Sequence, residues 1–131
     1  MSPTDVRNWL QNEGFRAKLD ESVPEYASIT TGVDGIPFDI DFYRTVPADG
    51  DLDNFESIVF VAGAEMDELP SLLKMNELNG RYKYLKAYAD DNIIMIRMEQ
   101  IAFPETLNER LFEEIFYTWS AIMPDFMKIA D

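Results

Sequence analysis

The segment from Leu69 to Met98 constrains the fold more than any other part of the chain, because it joins a short helix to a hairpin of strands. The helix is expected to be capped by Asp67 and to end at Gly80. Strands are predicted over 82–88 and 93–99, with an acidic turn between them. One face of the helix is expected to be buried, because four residues follow the spacing i, i+3, i+4 and i+7: Leu69, Leu72, Leu73 and Asn76.

The first half of the chain is predicted to be a helix followed by strands. Ser2 and Pro3 suit a helix start, and Gly14 suits its end. Residues 36–44 alternate between apolar and acidic side chains, which is typical of a half-buried antiparallel strand. The strands predicted in this half cover residues 15–19, 26–31, 36–44 and 57–62, the last of them apolar on both faces and therefore central.

A long amphipathic helix is predicted near the C-terminus. Thr106 and Glu109 form a capping box for its start, and Pro124 is expected to end it or kink it. Its apolar stripe consists of Leu107, Leu111, Ile115, Trp119, Ile122 and Phe126.

This order of elements predicts an α+β fold. Strands joined by short turns favour an antiparallel sheet, and the N-terminal, middle and C-terminal helices would be segregated from it. A length of 131 residues suits one domain, so residues 1–131 are expected to form a single unit.

The composition argues against catalysis. The chain has no cysteine and no histidine, so it lacks thiolates and the commonest general base near neutral pH. Two carboxylates can still hydrolyse a glycoside, but no such pair is marked, and no nucleophile or phosphate-binding motif is present. We therefore expect no enzymatic activity, no cofactor and no bound metal.

The charge of the chain is strongly acidic, with 25 acidic residues, 11 basic residues and a net charge of −14. Such a surface repels nucleic acid and anionic lipid, and it attracts cationic partners. The N-terminal residues lack the layout of a signal peptide, and the apolar run at 58–62 is far too short to cross a bilayer. A cytoplasmic protein that binds neither nucleic acid nor membrane is expected.

The segment Met75-Asn76-Glu77-Leu78-Asn79 and its neighbours carry a resemblance to a known family. Leu72-Leu73 precede this segment, an aromatic and basic strand follows at 82–88, and an acidic turn at Asp90-Asp91 leads to the apolar strand 93–98. This arrangement resembles the YbjN family of bacterial sensory transduction regulators. The resemblance implies a fold similar to class I type III secretion chaperones, which are small, acidic, usually dimeric and without catalytic residues.

Asn76 and Asn79 are the most distinctive polar pair. Asparagine near a helix C-terminus can satisfy free carbonyls and tolerates left-handed backbone. The pair is interpreted mainly as a structural motif for the turn from helix to strand, with a ligand site as the alternative. Asn76 is expected on the apolar face, where its amide would need buried partners.

Two other groups of residues suggest binding sites but also have simpler interpretations. Asp49, Asp51 and Asp53 resemble half of a calcium loop, but Asn54 and Phe60 stand where an EF-hand needs glycine and glutamate. A solvated acidic loop is the simpler interpretation, with weak binding of a cation as the alternative. Four residues alternate on one predicted strand face and suggest either a base-stacking platform or ordinary packing: Tyr82, Tyr84, Lys86 and Tyr88.

The apolar residues of the last helix are too broadly spread for one small sheet to cover. A partner protein or a second copy of the chain would cover the excess, and a homodimer is predicted. Methionines either fill the core or line an adaptable groove. The predicted partner or dimer surface consists of Met75, Phe112, Phe116, Trp119 and Met123.

These observations predict a non-enzymatic protein-binding module. It would be chaperone-like or regulatory and would recognise an amphipathic or basic segment of another protein. The alternative is an immunity or antitoxin-type inhibitor, which is also small and acidic but binds a folded toxin.

Overall fold

The computed structural model describes residues 1–44 and 54–130. These residues form three helices and six strands, which confirms the predicted α+β class. The helices are α1 (Pro3–Asn12), α2 (Leu72–Arg81) and α3 (Glu109–Ala130). The strands are β1 (Lys18–Asp20), β2 (Tyr26–Val33), β3 (Ile36–Tyr43), β4 (Ser57–Glu65), β5 (Leu85–Asp90) and β6 (Ile93–Ile101).

The six strands form one antiparallel sheet in the order β1-β2-β3-β4-β6-β5. β2, β3 and β4 follow one another as neighbours, and Ile40 of β3 lies opposite both Ile29 and Phe60. After β4, helix α2 connects to β5, which lies at the edge of the sheet and leaves a gap of one strand beside β4. β6 returns between β5 and β4, and Ile96 pairs with Ala62.

The β2–β3 hairpin closes through Asp34 and Gly35, whose φ angles are 52° and 79°. Two successive residues with positive φ define a type I′ turn, whose twist matches that of the flanking strands. Val33 and Ile36 are the pair that closes this hairpin. The β5–β6 hairpin places Asp91 at a φ of 52°, in the acidic turn predicted from the sequence.

All three helices contribute to one core on a single face of the sheet. Helix α3 lies over the central strands, where Trp119 is 5.7 Å from the rings of both Phe38 and Phe60. Helix α1 packs beside α3, with Trp9 5.2 Å from Phe112. The long helix is therefore covered by the sheet on one side and by α1 on another.

Helix α2 begins later than predicted, and it buries a different face. Ser71, rather than Asp67, is its N-cap, and the Ser71 hydroxyl accepts a hydrogen bond from the Lys74 main-chain N–H at 3.3 Å. The helix continues through Gly80 to Arg81. Its buried residues are Met75 and Leu78, so the predicted face made of Leu69, Leu72, Leu73 and Asn76 is wrong.

The start of helix α3 also differs from the prediction. Asn108, rather than Thr106, caps it, because the Asn108 side-chain oxygen accepts the Leu111 N–H at 2.9 Å. Thr106 instead bonds to the main chain of Phe103 in the preceding turn. Pro124 lies inside the helix and does not end it.

Candidate functional site

The surface predicted for a partner or a second copy is buried inside this chain. Phe112, Phe116, Trp119 and Met123 are at most 1 % exposed, and Met75 is 7 % exposed. The prediction that these residues form an open surface is therefore wrong. Helix α1 accounts for the difference, because Trp9 covers the flank of α3 that the sheet leaves open, with ring distances of 5.2 Å to Phe112 and 5.4 Å to Phe116. The homodimer stays a prediction, and its surface would have to lie elsewhere.

The two asparagines of α2 have different surroundings. Asn79 is partly buried, and its side-chain amide bonds to both main-chain groups of Ala87 in β5. Asn76 is exposed, so the expectation that its amide lies on the buried face is wrong. The structure therefore separates the pair and assigns the contact between helix and strand to Asn79.

The tyrosine and lysine face predicted on one strand is not formed. β5 begins at Leu85, so Tyr82 and Tyr84 precede it, and Tyr84 has a φ of 65°. Tyr82 turns instead to helix α3, where its hydroxyl donates a hydrogen bond to Asp125. Only Lys86 and Tyr88 share a strand face, with the ammonium 5.3 Å from the ring centre.

Three exposed leucines lie at the start of α2 or just before it. Leu69, Leu72 and Leu73 are 41 %, 78 % and 68 % exposed, and we call them the leucine patch. The orientation of α2 explains the exposure of Leu72 and Leu73, because the helix turns Met75 and Leu78 toward the core and leaves its first two residues outward. The sequence pattern predicted these leucines in the interior. Serine is a favoured N-cap residue, so Ser71 was a signal for the true start of the helix.

An acidic depression adjoins the leucine patch. It has a volume of about 450 Å³, and Leu69 is among its lining residues. Its apolar surface comes from Met66, Leu69, Pro70 and Ile129, and Lys74 is its one basic residue. Three carboxylates line it: Glu65, Asp67 and Glu68.

A second depression of about 380 Å³ lies next to the first and shares Lys74 and Ile129 with it. One wall carries a hydrogen-bonded group centred on Asp125, which is bonded by Tyr82 and lies 3.0 Å from the Arg81 guanidinium. The Tyr82 hydroxyl, and then Arg81, hold the pKa of Asp125 below its usual value. The same bond to Asp125 raises the pKa of Tyr82. This group joins the end of α2 to the end of α3.

The sheet face opposite the helices carries one buried carboxylate, Asp41. The Ser28 hydroxyl on the neighbouring strand donates a hydrogen bond to it at 2.6 Å. Burial raises the pKa of Asp41, and the bond from Ser28 opposes that rise. Burial, followed by the nearby charge of Asp41, also raises the pKa of Tyr43.

The residues that the structure describes contain no group of three or more histidine, cysteine, aspartate or glutamate side chains able to hold a metal ion. The aspartates at 49, 51 and 53, compared above with a calcium loop, lie outside the described residues. Within the described part of the chain, no helix is long and apolar enough to cross a membrane.

Comparison with known proteins gives no match to a family model, to a curated protein or to a solved structure. The resemblance to the YbjN family therefore stays a prediction based on the residues quoted above.

Proposed function

We propose that this protein is a non-enzymatic binding module that holds an amphipathic, basic segment of another protein. The observation that supports the proposal is the exposure of Leu72 and Leu73, at 78 % and 68 %, beside an acidic depression. Burying one leucine side chain contributes about 1.5–3 kcal/mol, so two open leucines in adjacent positions are a favourable place for an apolar partner.

The charge around the leucine patch selects the kind of partner. Glu65, Asp67 and Glu68 outnumber Lys74 in the adjoining depression, and the whole chain carries a charge of −14. Acidic groups at the rim attract a basic partner, accelerate its encounter and make binding sensitive to salt. A segment with leucine-like side chains on one face and lysine or arginine on the other matches both features.

A helical partner segment suits the leucine patch. An amphipathic helix presents its apolar side chains at i, i+3, i+4 and i+7 and binds along an apolar groove. Here Met66, Leu69, Pro70 and Ile129 add apolar surface to the depression, and Leu72 and Leu73 begin the adjacent helix. The recognition requires contact and charge only, with no bond-making step.

A defined peptide tests the proposal. The probe is a fluorescein-labelled amphipathic helix with leucine on one face and lysine on the other, and its counterpart carries glutamate in place of lysine. Fluorescence polarisation should show binding of the lysine peptide that weakens as salt rises, and weak or no binding of the glutamate peptide.

Matched variants locate the binding. Leu72→Ser combined with Leu73→Ser should weaken binding by about tenfold or more, since each lost contact at a central position costs over 1 kcal/mol. The control, Ile101→Ser with Tyr117→Ser, removes two other exposed apolar side chains (82 % and 52 % exposed) and should leave binding unchanged. Equal losses in both variants would contradict the proposal. Binding of a folded basic protein through the same leucines, without binding of the peptide, would favour the inhibitor class instead.

A further inference from the structure

The depression between the β2–β3 hairpin and the connection from α1 to β1 differs in charge from the rest of the chain. It has a volume of about 660 Å³ and is lined by residues 14–18, 30–32 and 35–37. Its charged residues are Arg16 and Lys18, and no carboxylate lines it, although acidic residues outnumber basic ones by 25 to 11 in the chain. The other three described depressions all include carboxylates.

The two cations are available to a ligand. Both residues are exposed. Neither side chain forms an ion pair within 4 Å or a hydrogen bond to another residue in the part of the chain that the structure describes. The contact that ties Arg16 to the sheet uses its main-chain carbonyl, which accepts a hydrogen bond from the Thr31 hydroxyl at 2.6 Å. The main chain of Arg16 is therefore held against the sheet, and its exposed guanidinium forms no ion pair within the described residues. The charge of Lys18 acts on the Asp20 carboxylate, but the two groups form no ion pair within 4 Å.

The main chain of Gly32 adds a hydrogen-bond donor. Because Val33 and Ile36 close a two-residue turn, they are a hydrogen-bonded pair, so the next pair, Gly32 and Pro37, is a non-hydrogen-bonded one. The Gly32 N–H and C=O therefore point away from β3, to the side on which β1 pairs with β2. That pairing ends at Lys18 and Thr30, so β1 does not reach Gly32.

The main chain of Gly32 packs closely against that of β3. A Cβ added to Gly32 would lie 2.9 Å from the Ile36 carbonyl oxygen, so a side chain at this position would require the hairpin to shift. Apolar surface lies beside the polar groups, provided by Phe15, Ala17, Ile36 and Pro37. A cavity of 300 to 1,000 Å³ with apolar walls and a few converging polar groups is typical of small-molecule sites, so roughly 660 Å³ is an appropriate size.

We infer that this depression binds a small amphipathic anion, with its carboxylate or phosphate head on Arg16, Lys18 and the Gly32 N–H and its apolar body on Phe15, Ile36 and Pro37. Charge-assisted hydrogen bonds from a guanidinium and a main-chain N–H hold such a head group. The site shares no residue with the leucine patch or the acidic depression, so it stands independently of the proposed function.

The test titrates the full chain with octanoate, octyl phosphate, octylammonium and octan-1-ol and follows the glycine amides by ¹⁵N–¹H NMR. Gly14, Gly32 and Gly35 line the depression, whereas Gly63 and Gly80 do not. Octanoate or octyl phosphate should shift the first three amides and leave the other two in place. Comparing these two ligands identifies the preferred head group.

The cationic and neutral ligands are the decisive controls. A protein of charge −14 should attract octylammonium overall, yet this ligand should shift the three lining amides least. Octanoate should bind about fivefold or more tightly than octan-1-ol, since a hydrogen bond to a charged group contributes more than a neutral one. Equal binding of octylammonium, or equal shifts at Gly63 and Gly80, would overturn the inference.

A pair of charge-reversed variants completes the test. Arg16→Glu with Lys18→Glu should weaken octanoate binding by about tenfold or more. Lys83→Glu with Arg110→Glu makes the same change in net charge on exposed residues outside the depression and should have little effect. Equal weakening in both variants would assign the effect to net charge alone and would contradict the site. If the reversed variant does not fold, Arg16→Gln with Lys18→Gln replaces it, and the ligand series on the unmodified chain decides independently.

Discussion

Asn79 occupies the hydrogen-bonding position that another strand would take beside Ala87. Its side-chain nitrogen donates to the Ala87 carbonyl at 3.1 Å, and its side-chain oxygen accepts the Ala87 N–H at 2.6 Å. β5 is an edge strand of the sheet, and unpaired groups on an edge strand are a template for pairing with another chain. One helical side chain thus closes part of this edge and attaches α2 to the sheet.

Replacing Asn79 should destabilise the fold and expose the edge of β5. Asn79→Ala leaves a partly buried N–H and C=O without partners, which is expected to lower the free energy of unfolding by about 1–3 kcal/mol. Asn79→Asp keeps an acceptor for the Ala87 N–H and should lose less. Urea unfolding measures the stability, and hydrogen exchange of the Ala87 amide, which should become faster, reports the local effect.

The control for this prediction is four-fifths of a turn away on the same helix. Asn76→Ala removes an exposed amide and should change the free energy of unfolding by less than about 0.5 kcal/mol. Equal effects of the two alanine variants would show that Asn79 acts through helix propensity rather than through Ala87.

The strands could be predicted from the sequence because their signals are local. Alternation in residues 36–44 is a short-range feature, and the strand predicted there is formed by Ile36–Tyr43. The order of the strands in the sheet could not be predicted in the same way. The insertion of β6 between β4 and β5 depends on contacts made far apart in the chain, which no local pattern contains.

The exposed apolar surfaces of α2 and α3 could not be predicted, because they depend on how the three helices pack against one another and against the sheet. The apolar stripe of α3 is too broad for the sheet alone, and Trp9 of α1, rather than a partner, covers Phe112 and Phe116. In α2 two apolar faces competed, Leu72 and Leu73 against Met75 and Leu78. Packing against the core buries Met75 and Leu78 and leaves Leu72 and Leu73 exposed, and this choice depends on tertiary contacts.

Single substitutions distinguish the apolar residues that were predicted exposed but are buried, such as Phe112, from those that were predicted buried but are exposed, such as Leu72. Phe112→Ala should lower the free energy of unfolding by about 3–5 kcal/mol, because it empties a site in the packed core. Leu72→Ala should change it by less than about 0.5 kcal/mol, because its side chain is 78 % exposed. Urea denaturation of the two variants measures both values. A folded, stable Phe112→Ala protein would restore the idea that α3 faces a partner.

The contacts of Asp125 predict a graded change in its acidity. The Tyr82 hydroxyl is the largest cause of its lowered pKa, Arg81 is the next, and the charge of Lys128 contributes least. Tyr82→Phe should therefore raise the pKa of Asp125 most, Arg81→Gln less and Lys128→Gln least. Carboxyl ¹³C chemical shifts followed through an acid titration give all three values.

The sign of the linked stability follows from the direction of that shift. Because the pKa of Asp125 is lower in the folded chain, its contribution is present above its usual value of 3.8 and is lost as the pH falls through the folded value. The gap in stability between the native chain and Tyr82→Phe should shrink over that acidic range. The opposite order of pKa changes, with Lys128→Gln largest, would show that the ion pair with Lys128 rather than the hydrogen bond from Tyr82 controls Asp125.

Asp41 should show the reverse dependence on pH. Burial raises its pKa, so the folded chain binds this proton more tightly than the unfolded chain, and ionised Asp41 lowers the stability near neutral pH. Asp41→Asn keeps an oxygen to accept the Ser28 hydroxyl and removes the buried charge. We expect it to raise the free energy of unfolding at pH 7, with the gain shrinking as the pH falls toward 3.8.

Asp39→Asn, which removes a neighbouring carboxylate from a less buried position on the same strand, is the matched control and should gain less. Urea unfolding across this pH range measures the difference, and a loss of stability in Asp41→Asn at pH 7 would show that Arg97, which also faces this carboxylate, outweighs the cost of its burial.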